Sequence, residues 1–224
     1  MKKQFQNPRQ SGRLEVICGS MFSGKTEELM RRLKRAEYAK QNVLTIKHKI
    51  DQRNNQQHSA IMSHEGKQRL AFLVSEDDTE VAKILDLADE SVDVVGIDEI
   101  QFFSKKAIEV ICKLVDQGKR VIVAGLDLDF RGDPFGIMPL LLALADDIIK
   151  FKAICVLCGA DAHHTQRMLN DKPARYDDPI ILVGATNCYE ARCRACFSID
   201  KSMYFEIKNP LEKIEEKRHP RKSI

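Results

Sequence analysis

Short, continuously apolar runs alternate along the chain with longer segments whose apolar residues recur every three or four positions. Arg13 to Cys18 (RLEVIC) is the first such run, and a glycine-containing turn follows it. Lys25 to Ala39 then places Leu29, Met30, Leu33 and Ala36 at helical spacing. Asn42 to Lys47, Val92 to Asp98, Arg120 to Gly125 and Ile148 to Ala153 read as further strands, and Asp51 to His58 as a polar loop. Asp77 or Asp78 is placed to cap a helix running to about Ala88, with Val81, Ile84, Leu85 and Ala88 on one face, and Ser104 to cap a helix ending at Asp116. Strands that are apolar throughout, separated by amphipathic helices, predict an α/β fold: a parallel sheet covered on both faces. Such sheets bind ligands at the carboxyl ends of their strands.

Past Lys152 the pattern changes to cysteines, short strands and turns, which predicts a second, smaller unit. The expected division is a flexible start over 1–12, an α/β domain over 13–152, a small domain over 153–200 and a charged, proline-containing tail over 201–224. Charge narrows the choice of partner. The 36 basic and 33 acidic residues nearly cancel, leaving +3, whereas a duplex-binding domain shows a lopsided balance or a basic stripe. Nucleic acid is therefore not expected as the partner. The first twelve residues are polar and basic, unlike a secretory signal, and no apolar run approaches the roughly 18 residues of a membrane span. A cytoplasmic protein with no membrane partner is expected. There, seven cysteines predict metal ligands rather than disulfides.

Gly19-Ser20-Met21-Phe22-Ser23-Gly24-Lys25-Thr26 fits G-x-x-x-x-G-K-[ST], with a predicted strand before it and a helix after it. The glycines let the backbone curl so that successive N–H groups face a phosphate, and the helix N-terminus adds partial positive charge. Lys25 is placed to reach the β- and γ-phosphates of ATP, and Thr26 to offer its hydroxyl to Mg²⁺. The predicted strand Val92 to Asp98 ends in one acid and is followed by a second, Glu99. Asp98 suits the magnesium ion, while Glu99 suits any of three roles: poising water in an ATPase, accepting a hydroxyl proton in a kinase, or pairing with a lysine. Cys155-x-x-Cys158 and Cys193-x-x-Cys196 are two knuckles separated by 34 residues (159–192). Four thiolates complete a closed, structural Zn²⁺ site. His163 and His164 lie nearby as substitutes, although four cysteines already satisfy zinc. Cys18 and Cys112 read as small buried hydrophobes.

The loop wording with Met21-Phe22, the string Asp98-Glu99-Ile-Gln101-Phe102-Phe103, the Gly125 to Gly136 segment, Tyr176 to Gly184 and the two knuckles together resemble the zinc-containing thymidine kinases, from about Leu14 to Cys196. The resemblance implies a RecA-like P-loop sheet carrying a small zinc-ribbon or lasso domain. It implies transfer of the ATP γ-phosphate to the 5′-hydroxyl of thymidine or deoxyuridine, with Glu99 as base and Gln101, Asp51 and Arg53 beside the nucleotide. It also implies that Met21, Phe102, Leu126, Phe130, Phe135 and Thr165 line the nucleoside pocket. The loop containing Ile180, Ile181, Leu182, Val183 and Gly184 would read the base through its main chain, and Tyr189 would contact the sugar. From spacing alone the aromatic residues fit a core better than a pocket; it is the resemblance that assigns them to the pocket. The family further implies a homotetramer and dTTP as feedback inhibitor. A RecA-like zinc-ribbon ATPase acting on nucleic acid is the alternative that the P-loop, the acidic pair and the knuckles also permit. The near-zero net charge and the aromatic residues after Leu126 favour a small-molecule pocket.

Overall fold

The computed structural model describes residues 11–49, 60–62, 68–182 and 188–199. The chain opens with β1 (Arg13–Gly19), α1 (Lys25–Tyr38) and β2 (Val43–His48), then the short strands β3 (Ala60–Met62), β4 (Gln68–Leu70) and β5 (Phe72–Val74). There follow α2 (Asp78–Ala82), α3 (Ile84–Leu87), β6 (Val94–Asp98), a 3-10 turn (Ile100–Phe102), α4 (Lys106–Asp116), β7 (Arg120–Gly125), α5 (Met138–Leu144) and β8 (Asp147–Phe151). Six strands form one parallel sheet in the order β5-β2-β6-β7-β1-β8. Each central strand is buried on both faces, which is why its sequence is mostly apolar. Val16 and Cys18 enter one core with Val95, Val121 and Val123, under α2, α3, α4 and α5. Ile17 enters the other with Val94, Ile122 and Ala124, against Leu29, Leu33 and Ala36 of α1. The expected parallel sheet with helices on both faces is thus found.

Three local readings need correction. The helix expected from Asp77 or Asp78 to Ala88 is capped by the Asp77 carboxylate, which accepts from the Thr79 and Glu80 N–H groups at 2.9 and 3.3 Å. It is then interrupted at Lys83, whose N–H is shared between the Thr79 and Glu80 carbonyls. Such sharing tightens the turn and separates α2 from α3. The Ser104 side chain does not cap α4; its hydroxyl donates to Asp78 at 2.5 Å and ties α4 to α2. Cys112 is half-buried rather than fully enclosed, while Cys18 is inside as expected. The stretch around Pro139 is itself a helix, α5. A proline in the first turn removes an N–H that has no intrahelical partner there.

The remaining strands are β9 (Ala153–Ile154), β10 (Asp161–Ala162), β11 (His164–Leu169), β12 (Lys172–Pro173) and β13 (Tyr189–Arg192). β9 and β10 pair antiparallel, and β11 lies between β12 and β13 in a three-stranded antiparallel sheet. Among the described residues, no helix is long and apolar enough to cross a membrane.

A buried carboxylate ties α1 to the sheet. Glu15 on β1 is 3% exposed and accepts from Arg120 Nε at 2.6 Å, Arg32 Nη1 at 2.5 Å and Arg13 Nε at 2.9 Å. Burial alone pushes this carboxyl up, but the hydrogen bonds from Arg120 and Arg32 outweigh it and hold it below the usual carboxylate range. Its stabilising contribution is therefore fully present above the ordinary carboxylate range and lost as pH falls through the lowered value. Glu15→Gln is expected to cost about 2–3 kcal/mol at pH 7, less than the roughly 3–5 for a fully buried pair because Arg13 stays half exposed. Urea denaturation of the two proteins should show that gap narrowing as the medium is made acidic.

Candidate functional site

The P-loop follows β1, the acidic pair ends β6, and Leu126 follows β7; with β7 lying between β6 and β1, all three meet at one end of the sheet. Gly24 sits at the start of α1 with φ 87°, a left-handed conformation that a side chain would strain. The loop is braced from within: the Ser23 hydroxyl and Lys25 Nζ both donate to the Ser20 carbonyl, at 2.8 and 2.7 Å. Thr26 Oγ1 lies 3.3 Å from Asp98 Oδ2, so a hydroxyl and a carboxylate oxygen from two elements stand side by side. A hard, oxygen-only pair of this kind suits Mg²⁺ with waters completing its shell.

Glu99, like Phe22 of the P-loop (φ 64°), holds a constrained backbone. It is a non-glycine residue at φ 54°, ψ 41°, with its N–H donating to Asp98 Oδ1 at 3.0 Å. Its carboxylate accepts from Gln101 Nε2 at 2.7 Å, and Gln101 Oε1 in turn accepts from the Leu126 N–H at 3.0 Å. Gln101 is 3% exposed and depends on a glycine opposite: a Cβ on Gly125 would stand 2.4 Å from Gln101 Oε1. The two ends of this amide thus fasten the Glu99 carboxylate to the chain leaving β7.

The residues expected to line a pocket are brought together in part. Phe102 and Phe135 meet edge to face at 5.5 Å, both half-buried. The Met21 N–H donates to Thr165 Oγ1 at 3.0 Å, and the Ser20 hydroxyl to the Ala162 carbonyl at 3.3 Å, so β10 and β11 rest directly on the P-loop. Leu126 is half-buried beside Gln101. Phe130 is 3% exposed and packs with Ala174 and Ile199, with Tyr176, Tyr189 and Phe197 at the edge of the cluster. Its ring is therefore core-like, as spacing alone favours. Ile180, Ile181 and Leu182 expose 41%, 44% and 39% of their surface. Asp51, Arg53, Val183 and Gly184 lie outside the described residues.

Sequence reading passed over Arg167, which lies 2% exposed on β11 with its guanidinium 3.8 Å from the Phe130 ring centre. It also passed over Asp127, 6% exposed and paired with Lys150 at 2.6 Å. An isolated arginine in a short strand and an aspartate in a loop carry no motif; only their burial reveals them.

The four cysteines of the knuckles converge, with all Sγ atoms within 4.8 Å of one another and Cys158 and Cys193 at 3.6 Å. Tetrahedral Zn²⁺ with Zn–S near 2.3 Å requires sulfurs about 3.8 Å apart, so the set fits zinc. A backbone hydrogen bond from Cys193, joined by others from Leu157 and Cys158, holds the Cys155 thiol down at about 6, in the form that binds metal. His164 does not join this group; its ring stacks on Phe197 at 4.5 Å.

Solved structures with some likeness include the replication initiator DnaA bound to AMPPCP and single-stranded DNA (TM-score 0.38, 14% identity, 65% of this chain and 42% of that one). A DNA replication initiation factor matches at 0.37 and 15%, over 62% of this chain and 40% of that one. The genome packaging NTPase B204 of Sulfolobus turreted icosahedral virus 2, in complex with ATP-gammaS, matches at 0.44 and 16%, over 66% and 77%. The chain thus spans about two fifths of the two initiation proteins, and all three likenesses are too slight to bear on activity. The family model for thymidine kinase, by contrast, matches residues 12–197, a span that takes in the P-loop, the Asp98-Glu99 turn, the buried amide of Gln101 and both cysteine knuckles. The chain belongs to the thymidine kinase family.

Proposed function

We propose that this protein transfers the γ-phosphoryl group of ATP to the 5′-hydroxyl of thymidine, and of deoxyuridine, giving the monophosphate and ADP. The observation that carries this reading is a carboxylate, Glu99, fastened by Gln101 beside the Thr26–Asp98 pair of the phosphate loop. ATP supplies the phosphoryl group, and Mg²⁺ held by Thr26 and Asp98 offsets its charge. The loop N–H groups and Lys25 stabilise the transferring group. Glu99 accepts the proton of the attacking O5′ and keeps that oxygen pointed at phosphorus; a carboxylate is a weak base for a free alcohol, so it takes the proton late, as the new bond forms.

In this reading residues 13–152 bind ATP and 153–200 form the lasso that holds the nucleoside. Phe102, Leu126 and Phe135 flank the base, Met21 and Thr165 close one side, Ile180 to Leu182 face it through their main chain, and Tyr189 stands by the sugar. Structural zinc ties the lasso ends together. The family also supports a homotetramer, a cytoplasmic location and feedback inhibition by dTTP. A coupled assay of ADP release with Mg·ATP and each deoxynucleoside in turn tests the proposal. Turnover with thymidine and deoxyuridine and little with purine nucleosides is expected. ATP hydrolysis stimulated by single-stranded DNA, with no nucleoside turnover, would support the nucleic-acid ATPase instead.

A further inference from the structure

Residues 174–182 link β12 toward β13 without regular structure, and a coil of this kind must find partners for its carbonyls outside a ladder. Three consecutive ones are taken by two arginines. Arg131 Nη2 donates to the Asp178 carbonyl at 2.7 Å, while Arg167 donates from Nη1 to the Pro179 carbonyl and from Nη2 to that of Ile180. Both guanidiniums also lie over the same aromatic ring, with Arg131 5.3 Å and Arg167 3.8 Å from the Phe130 centre. Arg131 further faces Tyr176 at 5.0 Å, and Tyr176 donates to Asp133 at 2.5 Å, so the beginning of the coil is fixed to the β7–α5 connection.

Arg167 is the unusual member. It is almost wholly buried, and among the described residues it makes no ion pair with a carboxylate. Its charge is met by two carbonyls, the face of Phe130 and the Tyr189 hydroxyl, which accepts from Nε at 3.0 Å. A buried cation met, among the described residues, only by neutral groups is an expensive way to hold a loop when an apolar side chain would pack there instead. What the guanidinium provides, and an apolar group would not, is a rigid fork that sets three features at once: the Phe130 ring plane, the Tyr189 hydroxyl and the backbone at Pro179–Ile180. Phe130, Tyr189 and Ile180 come from three separate stretches of sequence; Tyr189 and Ile180 are nucleoside-pocket residues in the reading above, and Phe130 is the buried ring beside them.

We infer that Arg167, assisted by Arg131, is a positioning residue that sets nucleoside affinity by holding residues 178–180 and Tyr189 in the arrangement that receives the nucleoside. This assignment rests on the proposed kinase activity. Lysine keeps the charge of Arg167 but cannot span the carbonyls and Tyr189 together. Arg167→Lys is therefore expected to raise the nucleoside KM by about tenfold, the equivalent of one lost charge-assisted hydrogen bond, while the ATP KM and the melting temperature hold. In Arg167→Ala, added guanidinium ion should recover part of the lost nucleoside affinity, which a purely structural vacancy would not show. Hydrogen exchange at residues 176–182 should quicken in both variants, with β6 and β7 unchanged. Nucleoside and ATP KM values rising in step with a falling melting temperature would overturn the assignment, and so would an unchanged nucleoside KM. Failure of the unsubstituted protein to phosphorylate any nucleoside would overturn both the kinase reading and this one.

Discussion

Glu99→Gln is expected to bind ATP and nucleoside as the unsubstituted protein does and to turn over roughly 10²–10⁴-fold more slowly, the range for loss of a positioned proton acceptor. The substitution is nearly isosteric. A glutamine turned with its oxygen toward Gln101 keeps that hydrogen bond, and the backbone bond from the residue 99 N–H to Asp98 Oδ1 does not involve the side chain. What disappears is the carboxylate's capacity to accept a proton, the step that the proposed reaction assigns to it. The left-handed conformation at this position, φ 54°, costs about 1–3 kcal/mol in a residue that is not glycine. A strand end of no further use would relieve that strain with glycine or asparagine; here it holds a carboxylate against Gln101, one residue after the Asp98 that faces Thr26. Equilibrium binding of each substrate, together with single-turnover rates, separates the two effects. Full turnover in the variant would remove Glu99 from the chemistry, and lost nucleoside binding would make it a recognition residue instead.

How legible the molecule is from its sequence depends on the range of the forces that set each part. β1, β6, β7 and α1 are read correctly because strand burial and helical spacing are local signals, and the P-loop because its backbone shape demands glycine at fixed positions. The edge strand β5 escapes: Phe72 is 53% exposed and the strand is three residues long, so no periodicity develops. α5 escapes because Pro139 reads as a breaker unless its place in the first turn is known. At the site, the metal-ligand spacing of the four cysteines predicts their convergence. The Gln101 bridge does not follow from sequence, since it depends on β7 ending against the turn after β6 with room left by Gly125. Arg167 is less legible still. Its partners lie 12, 13 and 22 positions away, and only the folded coil shows that one guanidinium meets them all.

Removal of zinc by a strong chelator is expected to raise hydrogen exchange across residues 153–199 by an order of magnitude or more, while amides of β1, β6 and β7 keep their protection. The reason lies in what each part buries. The sheet carries two cores of leucine, isoleucine and valine that need no metal. Among the described residues, the buried cluster at the knuckles is Ala153, Ala162 and Ala191 besides Cys155 and Cys193, with Cys196 packed against them, and the region's other small cluster, Ala174 and Ile199, leans on Phe130 of the β7–α5 connection. Three alanine methyl groups bury too little apolar surface to offset the entropy of ordering the strands around them. Structural zinc contributes on the order of 10–16 kcal/mol in small domains at pH 7, enough to make order in such a region conditional on the ion. Ile154, Val156 and Leu157, which point outward at 60–64% exposure, add nothing to that core. The consequence for activity is asymmetric. Thr165 and Arg167 stand on β11 and Tyr189 on β13, between the two knuckles, so the stripped protein should lose nucleoside affinity. The P-loop's hydrogen bonds to Ala162 and Thr165 would go too, but its bracing through Ser20, Ser23 and Lys25 is internal, so nucleotide binding should weaken much less. Uniform loosening of sheet and knuckles, or equal losses of both ligands, would mean that the two parts fold as one cooperative unit and that zinc stabilises the whole.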